Sequence, residues 1–364
     1  MKFLFDATVL QQSATGIAKA TMGLYEACLL EESEIEVTAF HRRPLACSLP
    51  ANIHSVQYGT YFPEFIWRKV ILPKYISDHK PMIVHFPWNG NIPKKFINTI
   101  IITTLHDVLP LNIPNYFKTD IAKERYRKRV QTDIDRTDLL ITDSEYSKKE
   151  IMNNFKITNE PLVLHHGPTI RKKRERILEL NNRSGDYFLY VGGYDPRKGI
   201  EKLIKIFINL HGEKKITSKL ILTGSQEYFS QEFKFLIDKG YSLKIIEEKG
   251  YVSDNVLADL YSGAKALVYP SKYEGFGLPP LEAMALGCPV ITTRYTSIPE
   301  ICGDAALYIN PDNDNSFAEG LISLENDSNL RHELKVKGMK QAAKFSWDTS
   351  AKKFLNEIQK FKEK

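Results

Sequence analysis

No uninterrupted apolar run in the 364 residues approaches the ~20 needed to cross a bilayer. The N-terminal MKFLFDATVL meets Asp6 too early to supply the apolar stretch of a signal peptide. Both absences lead us to expect a cytoplasmic chain, soluble or peripheral on the inner face of a membrane. Cysteine is scarce. Cys28, Cys47, Cys288 and Cys302 form neither a disulfide framework nor a metal-ligand spacing, which fits a reducing compartment. Nothing repeats at a fixed period, and no tract is of low complexity. There is no G-x-G-x-x-G, so a nicotinamide-dinucleotide site lacks its main signature. Charge is not strongly one-sided either. A net +6 and a pI near 8.8 suit a protein that handles phosphates or visits an anionic membrane, and equally one with a solvated basic surface; no nucleic-acid partner is expected.

What is present is enough length for two domains, each with its own core. Short apolar strands alternate with amphipathic helices, which argues α/β architecture with parallel sheets covered on both faces. Strands are read at Lys2–Phe5, Met82–Phe86, Ile100–Leu105, Leu139–Ser144, Leu162–His165, Tyr187–Val191, Leu220–Gly224 and Ala266–Tyr269. Thr15 caps a helix from Gly16, and Phe117–Arg136 is a long basic helix with a solvated face. Its Asp133 and Asp135 spell D-x-D, but on a helix those side chains diverge, so no metal site is expected there. Phe62–Tyr75 interleaves Trp67, Arg68, Lys69, Lys74 and Tyr75. It reads as a helix burying Phe65, Ile66, Val70 and Ile71 under a basic outer face, in preference to an interfacial helix. The charged, irregular Pro168–Ser184 stretch is the expected linker, giving domains 1–170 and 171–345.

The chain is organised around Tyr269–Val290, YPSKYEGFGLPPLEAMALGCPV. A strand runs into a loop carrying Glu274, Gly275 and Gly277, and a helix follows with Pro279 and Pro280 in its first turn. Gly287 stops that helix. Strand, glycine loop and helix together aim free N–H groups and a positive helix end at one point, which suits a diphosphate. Glu274 lies in the loop and Glu282 about one turn inside the helix, so the two acids face different parts of any ligand. Singly, each would ordinarily be a solvated acid or a complement to the helix dipole. A second such turn, Gly192 to Gly199, places Arg197 and Lys198 just before the helix starting at Ile200.

Glu274 and Glu282, with seven residues between them in EGFGLPPLEAMALGCPVI, resemble the E-x7-E signature of the retaining GT-B glycosyltransferases of family 4, the glycosyl transferases group 1 set. The likeness continues through TSIPEICGDAALYINPDN at Thr296–Asn313. It implies two Rossmann-like parallel-sheet domains facing across a cleft, with the helix begun at Ser346 and Trp347 (346–364) crossing back to the first domain. The nucleotide would sit on the second domain and the acceptor mainly on the first.

Carried onto this sequence, the resemblance assigns Glu282 to the ribose, and Glu274 to the sugar hydroxyls and to positive charge at the anomeric carbon. Gly193, Gly275, Phe276, Gly277 and Leu278 would surround the diphosphate and sugar, and Tyr251 and Val252 would meet the base. Arg197 and Lys198 would stabilise the leaving diphosphate, leaving open which of them reaches it. TGIAKATMGL matches a segment whose glycine lies beside the donor phosphates, here Gly16; Ala18 stands where relatives have a second glycine. His106 in TLHDVLP would contact the donor sugar, with Asp107 orienting the ring. His85, Trp88, Asp107 and Ser144 are the acceptor-side candidates.

The expected activity is transfer of a sugar, with retention and without metal or other cofactor, from a nucleotide diphosphate sugar to a saccharide or lipid-linked acceptor in cell-surface polysaccharide assembly. The Thr296–Asn313 stretch looks most like bacterial mannosyl- or rhamnosyltransferases building O-antigen or capsule, which places GDP-mannose ahead of UDP-sugars. The alternatives are a UDP-sugar-dependent transferase, a phosphorylase or epimerase of the same fold, and a non-catalytic sugar-nucleotide-binding subunit. Two acids alone would also admit a glycosidase, but an anion site between them has no role in that reaction.

Overall fold

Every strand read from the sequence lies in one of two all-parallel sheets. The computed structural model describes residues 1–11, 15–88, 92–170, 185–224 and 227–362. The expected linker therefore lies outside the described residues from 171 onward. The chain divides into Met1–Gly167 with Ser346–Lys364, and Pro168–Phe345.

The first unit holds β1 (Lys2–Asp6), β2 (Glu36–His41), β3 (Ile53–Gln57), β4 (Ile83–Phe86), β5 (Ile100–Thr104), β6 (Leu139–Thr142) and β7 (Leu162–Val163), in the order β3-β2-β1-β4-β5-β6-β7. The second holds β8 (Tyr187–Val191), β9 (Lys219–Thr223), β10 (Ile246–Gly250), β11 (Ala266–Tyr269), β12 (Val290–Thr293) and β13 (Leu307–Ile309), in the order β10-β9-β8-β11-β12-β13. Strand order reverses between β1 and β4, and again between β8 and β11. Open parallel sheets take ligands beyond the carboxyl ends of strands at such reversals. The sequence reading passed over β2, β3, β10, β12 and β13.

Helices cover both faces, so successive strand residues are apolar rather than alternating. In β8, Phe188 and Tyr190 pack into one core with Ile204 and Phe207, while Leu189 joins Leu267, Leu281 and Met284 on the other face. The helix Trp347–Lys362 belongs to the first unit. Trp347, Phe354 and Ile358 bury beside Phe3 and Leu24, and a Cβ on Gly23 would lie 2.5 Å from the Trp347 ring. Only glycine permits that approach.

The helical stretch from Glu64 differs from expectation. Phe65 and Val70 are exposed, whereas Trp67, Arg68, Leu72 and Ile76 are buried. A turn of π-helix over Trp67–Ile71 is the reason. It inserts a residue into the helical repeat, so the buried face steps from Trp67 to Leu72 rather than to Ile71.

Candidate functional site

At the reversal in the second sheet, the loops after β8 and β11 lie against each other. Gly199 has φ +69°, and a Cβ there would sit 2.6 Å from the Pro270 carbonyl oxygen. Between Gly192 and Gly199, Asp195 caps a short 3-10 turn, Pro196–Lys198. Its Oδ1 accepts from the Arg197 backbone N–H (2.9 Å) and its Oδ2 from Arg197 Nε (2.9 Å). Arg197 Nη1 donates to the Tyr273 carbonyl (2.8 Å), so the guanidinium ties one loop to the other. Burial works against its charge, but Glu274 and Asp195 more than offset this and its pKa is raised. Lys198 points elsewhere. Its Nζ lies 3.7 Å from Glu274 Oε1 and 5.6 Å from the Tyr269 ring centre.

Glu274 is held from every side. Its Oε1 accepts from Tyr269 Oη (2.8 Å) and Ser271 Oγ (2.7 Å), and its N–H donates to Thr296 Oγ1 (3.1 Å). Ser297 Oγ is shared between the carbonyls of Glu274 (2.9 Å) and Phe276 (2.7 Å). Thr296 has φ +52°, a left-handed conformation that is unfavourable for a β-branched residue. Gly277, at φ +113°, then opens the helix Leu278–Ala285. That helix ends in a Schellman turn, with Cys288 N–H on the Ala283 carbonyl and Gly287 N–H on the Met284 carbonyl. Glu282 sits in this helix and is 4% exposed, so it is not a solvated acid. Its two oxygens accept hydroxyls from Thr169 and from Tyr261 (3.2 Å), the kind of donor pair a vicinal diol presents. Tyr251 is exposed and Val252 half-buried, just before the Asp254–Gly263 helix capped by Ser253.

In the first unit the strand ends gather a different set. His85, in β4, is buried, with Nδ1 2.9 Å from Tyr25 Oη and Nε2 2.8 Å from Thr104 Oγ1. Burial first, and then the charge of His106, pushes its pKa down to about 3. The structure places His85 inside the sheet's core rather than on an acceptor surface. His106 follows β5; its Nδ1 lies 2.7 Å from Asp143 Oδ2 and its Nε2 3.0 Å from the Pro87 carbonyl. Asp143 orients this ring, a correction to the expectation for Asp107, whose Oδ1 accepts from the Leu109 N–H (3.0 Å). Asp143 Oδ1 also lies 3.0 Å from His166 Nε2. Ser144 is buried and caps the Glu145–Asn154 helix through the Ser147 N–H (3.0 Å). Trp88 is exposed, which removes a core role. Gly16 begins its helix, and a Cβ there would meet nothing within 4 Å, so neither packing nor turn geometry demands glycine.

Among the described residues, one group of three brings metal-type donor atoms within 4.8 Å of one another: His106, Asp143 and His166. Here Asp143 bridges the two imidazoles, with one carboxylate oxygen on each. In the D-x-D stretch, Asp133 is buried against the Ile92 N–H (2.9 Å) while Asp135 accepts from Gln131 on the surface (2.8 Å).

The profile described as "Glycosyl transferases group 1" matches residues 172–341. The chain is 32% identical over 301 residues to O-antigen chain mannosyltransferase RfbU of Salmonella typhimurium, covering 76% of this chain and 81% of that protein. The chain belongs to the glycosyl transferases group 1 family. It is also 28% identical over 381 residues to O-antigen chain mannosyltransferase B of Escherichia coli, covering 98% and 99% of the two chains. Among solved structures, sucrose-phosphate synthase from Thermosynechococcus elongatus superposes with a TM-score of 0.79 at 20% identity, over 99% and 98% of the chains. At that identity the likeness concerns the fold, which is GT-B.

For this glycosyltransferase, sequence reasoning found the acids and cations but not what holds them. Thr296 and Ser297 stand inside the stretch that resembles the family, three and four residues after β12, so position alone could have flagged them. Tyr261 and Thr169 reach Glu282 from distant segments, and Asp143 and His166 reach His106 likewise; no local pattern announces either pairing.

Proposed function

We propose that the chain is a retaining glycosyltransferase moving a hexose, with mannose from GDP-mannose tested first, to a saccharide or lipid-linked saccharide in cell-surface polysaccharide assembly. The carrying observation is the Lys198–Glu274 pair at the β8/β11 reversal, 3.7 Å apart between two glycine turns and ahead of a helix N-terminus. A cation, main-chain N–H groups and a carboxylate then meet a ligand whose anionic diphosphate adjoins a polyhydroxylated sugar. The two O-antigen mannosyltransferase relatives support the choice of sugar and pathway class.

In this reading the anomeric carbon–phosphate oxygen bond breaks as the acceptor oxygen bonds to the same face. The leaving phosphate oxygen takes the acceptor's proton. Lys198 and main-chain N–H groups stabilise the diphosphate as charge develops, and Arg197 acts mainly by fixing the loop. Glu274 bonds sugar hydroxyls and favours positive charge at the anomeric carbon, and Glu282 exchanges its two hydroxyl partners for those of the ribose. His106 is assigned to sugar contact. No metal or other cofactor takes part.

No described helix is long and apolar enough to cross a membrane. Tyr61, Phe65 and Val70 are exposed in the same segment as Lys69, and we assign this segment to peripheral contact with an anionic bilayer on the cytoplasmic side.

The test is thermal stabilisation by GDP-, UDP- and dTDP-sugars, then transfer with and without a chelator. A ligand at a hundred times its Kd adds about 2.7 kcal/mol of apparent stability. Stabilisation by GDP-mannose and chelator-resistant transfer are expected. Stabilisation by a UDP-sugar alone would move the donor assignment. Absence of stabilisation by every nucleotide sugar, or loss of transfer with chelator, would overturn the corresponding claim.

A further inference from the structure

Four neighbouring strands of the first sheet end on one histidine. β5 leads into His106, β6 into Asp143, the segment after β7 carries His166, and β4 runs on to the Pro87 carbonyl. The ring of His106 therefore faces a carboxylate on one nitrogen and a peptide carbonyl on the other, at 2.7 and 3.0 Å. Both partners only accept hydrogen bonds. Each ring nitrogen must carry a proton, and a ring with two is a cation.

The surroundings agree. Burial works against charge on both groups. Asp143, the Pro87 carbonyl and Asp107 outweigh it and raise the His106 pKa, while the two imidazoles hold the Asp143 carboxyl well below the usual range. His85, on β4 beside it, stays neutral. Asp107 is the charged neighbour on the same loop. His166 is itself fixed: it stacks on Trp347 at 5.3 Å, and Ser350 in the same C-terminal helix donates to the His165 carbonyl. A small cavity, with about 20 Å³ of free space, adjoins the triad and is lined also by Thr21, His85, Thr104 and Trp347.

We propose that Asp143, braced by His166, is a positioning residue that keeps His106 a doubly protonated ring of fixed orientation, so that His106 serves glycosyl transfer as a stationary cation and never as a proton acceptor. The proposal rests on the transfer reading above and adds residues that neither composition nor the family signature assigned. It also accounts for a buried carboxylate between two imidazoles, an arrangement that is costly unless each charge is paired.

The experiment has two independent arms. In the first, the full chain is labelled with 15N-histidine, and the ring signals are followed from pH 5 to 9, with His106→Gln identifying the resonance. A doubly protonated His106 through pH 7 is expected, becoming singly protonated near neutrality in Asp143→Asn. A neutral His106 in the unaltered chain at pH 7 overturns the proposal, as does a stoichiometric bound metal that Asp143→Asn loses. In the second arm, Asp143→Asn should lower kcat by about 10- to 100-fold, the range typical of residues that orient a working side chain. Its KM for the nucleotide sugar should stay within about twofold, a new inflection should enter the pH–rate profile between pH 5 and 8, and Asp143→Glu should recover part of the rate. His166→Asn should give a smaller change of the same kind, and decides the matter if Asp143→Asn does not fold. Unchanged kcat and pH profile in folded variants overturn the proposal. If no nucleotide sugar is turned over, the transfer reading fails while the ring measurement still judges the protonation state.

Discussion

Lys198→Met removes one charge and little volume, and so isolates what the ammonium does. Its Nζ is 3.7 Å from Glu274 Oε1; at an effective dielectric constant of about 20 that is roughly 4 kcal/mol of gross attraction. Little of this is net stability. The carboxylate keeps its hydroxyl partners Tyr269 and Ser271, and solvent reaches the pair, so the folding cost should be about 1 kcal/mol. The transition state is different, because charge grows on the diphosphate just where the cation is fixed. Losing one such preorganised group costs about 10²- to 10³-fold in kcat, or ~2.7–4 kcal/mol. The assay is steady-state transfer from the donor found by stabilisation, alongside calorimetric Kd for the free nucleotide. A large fall in kcat, a Kd weakened by less than about tenfold and a nearly unchanged melting temperature are expected. If folded Lys198→Met turns over within about threefold of the parent, the diphosphate is not stabilised there and the chemistry assigned to this loop is wrong.

The two acids should separate. Glu282→Gln weakens nucleotide affinity by about 10-fold, since one charge-assisted acceptor site becomes neutral, while Glu274→Gln mainly lowers kcat; equal effects on both constants in both variants would contradict their roles. Glu325 offers a stability test away from the site. Its Oε1 accepts from the Thr217 N–H (3.1 Å), Thr217 Oγ1 (3.0 Å) and the Ser218 N–H (3.2 Å), and Lys265 lies 3.3 Å from Oε2. Burial raises its pKa, but those bonds and Lys265 prevail and bring it from 4.5 to about 2. A depressed carboxyl stabilises the fold above pH ~4.5, and that contribution is lost as pH falls toward 2. Allowing for solvent screening, about 2 kcal/mol is at stake. The melting temperature of Glu325→Gln should therefore sit below the parent's at pH 7 and converge with it near pH 2; a constant gap would refute the linkage.

The parts of the fold legible in the sequence were those written in short-range code. β8 and β11 are continuous apolar runs because both faces are covered, and Thr15, Ser253 and Gly287 punctuate helices by local hydrogen bonding or left-handed geometry. β3 escaped notice because its solvent-facing His54, Ser55 and Gln57 dilute the apolar signal at the sheet edge. The face of the Glu64 helix was misjudged because a π-turn changes the repeat, and no residue in WRKVI signals one. At the site, the glycine turns and acids carry their own spacing. Their partners do not: Tyr261 lies 21 residues before Glu282, and Asp143 lies 37 after His106, separations that only the parallel crossovers bring together.

The helix that packs on Gly23 is made only after the whole second sheet. On the ribosome, every strand of the first sheet emerges long before Trp347 is available to cover it, whereas the second sheet has all its neighbours as soon as Phe345 has left the tunnel. The nascent chain must therefore keep the apolar seam around Gly23 and Leu24 open for some 180 residues of synthesis after β7 is made, and the half translated first is the half completed last.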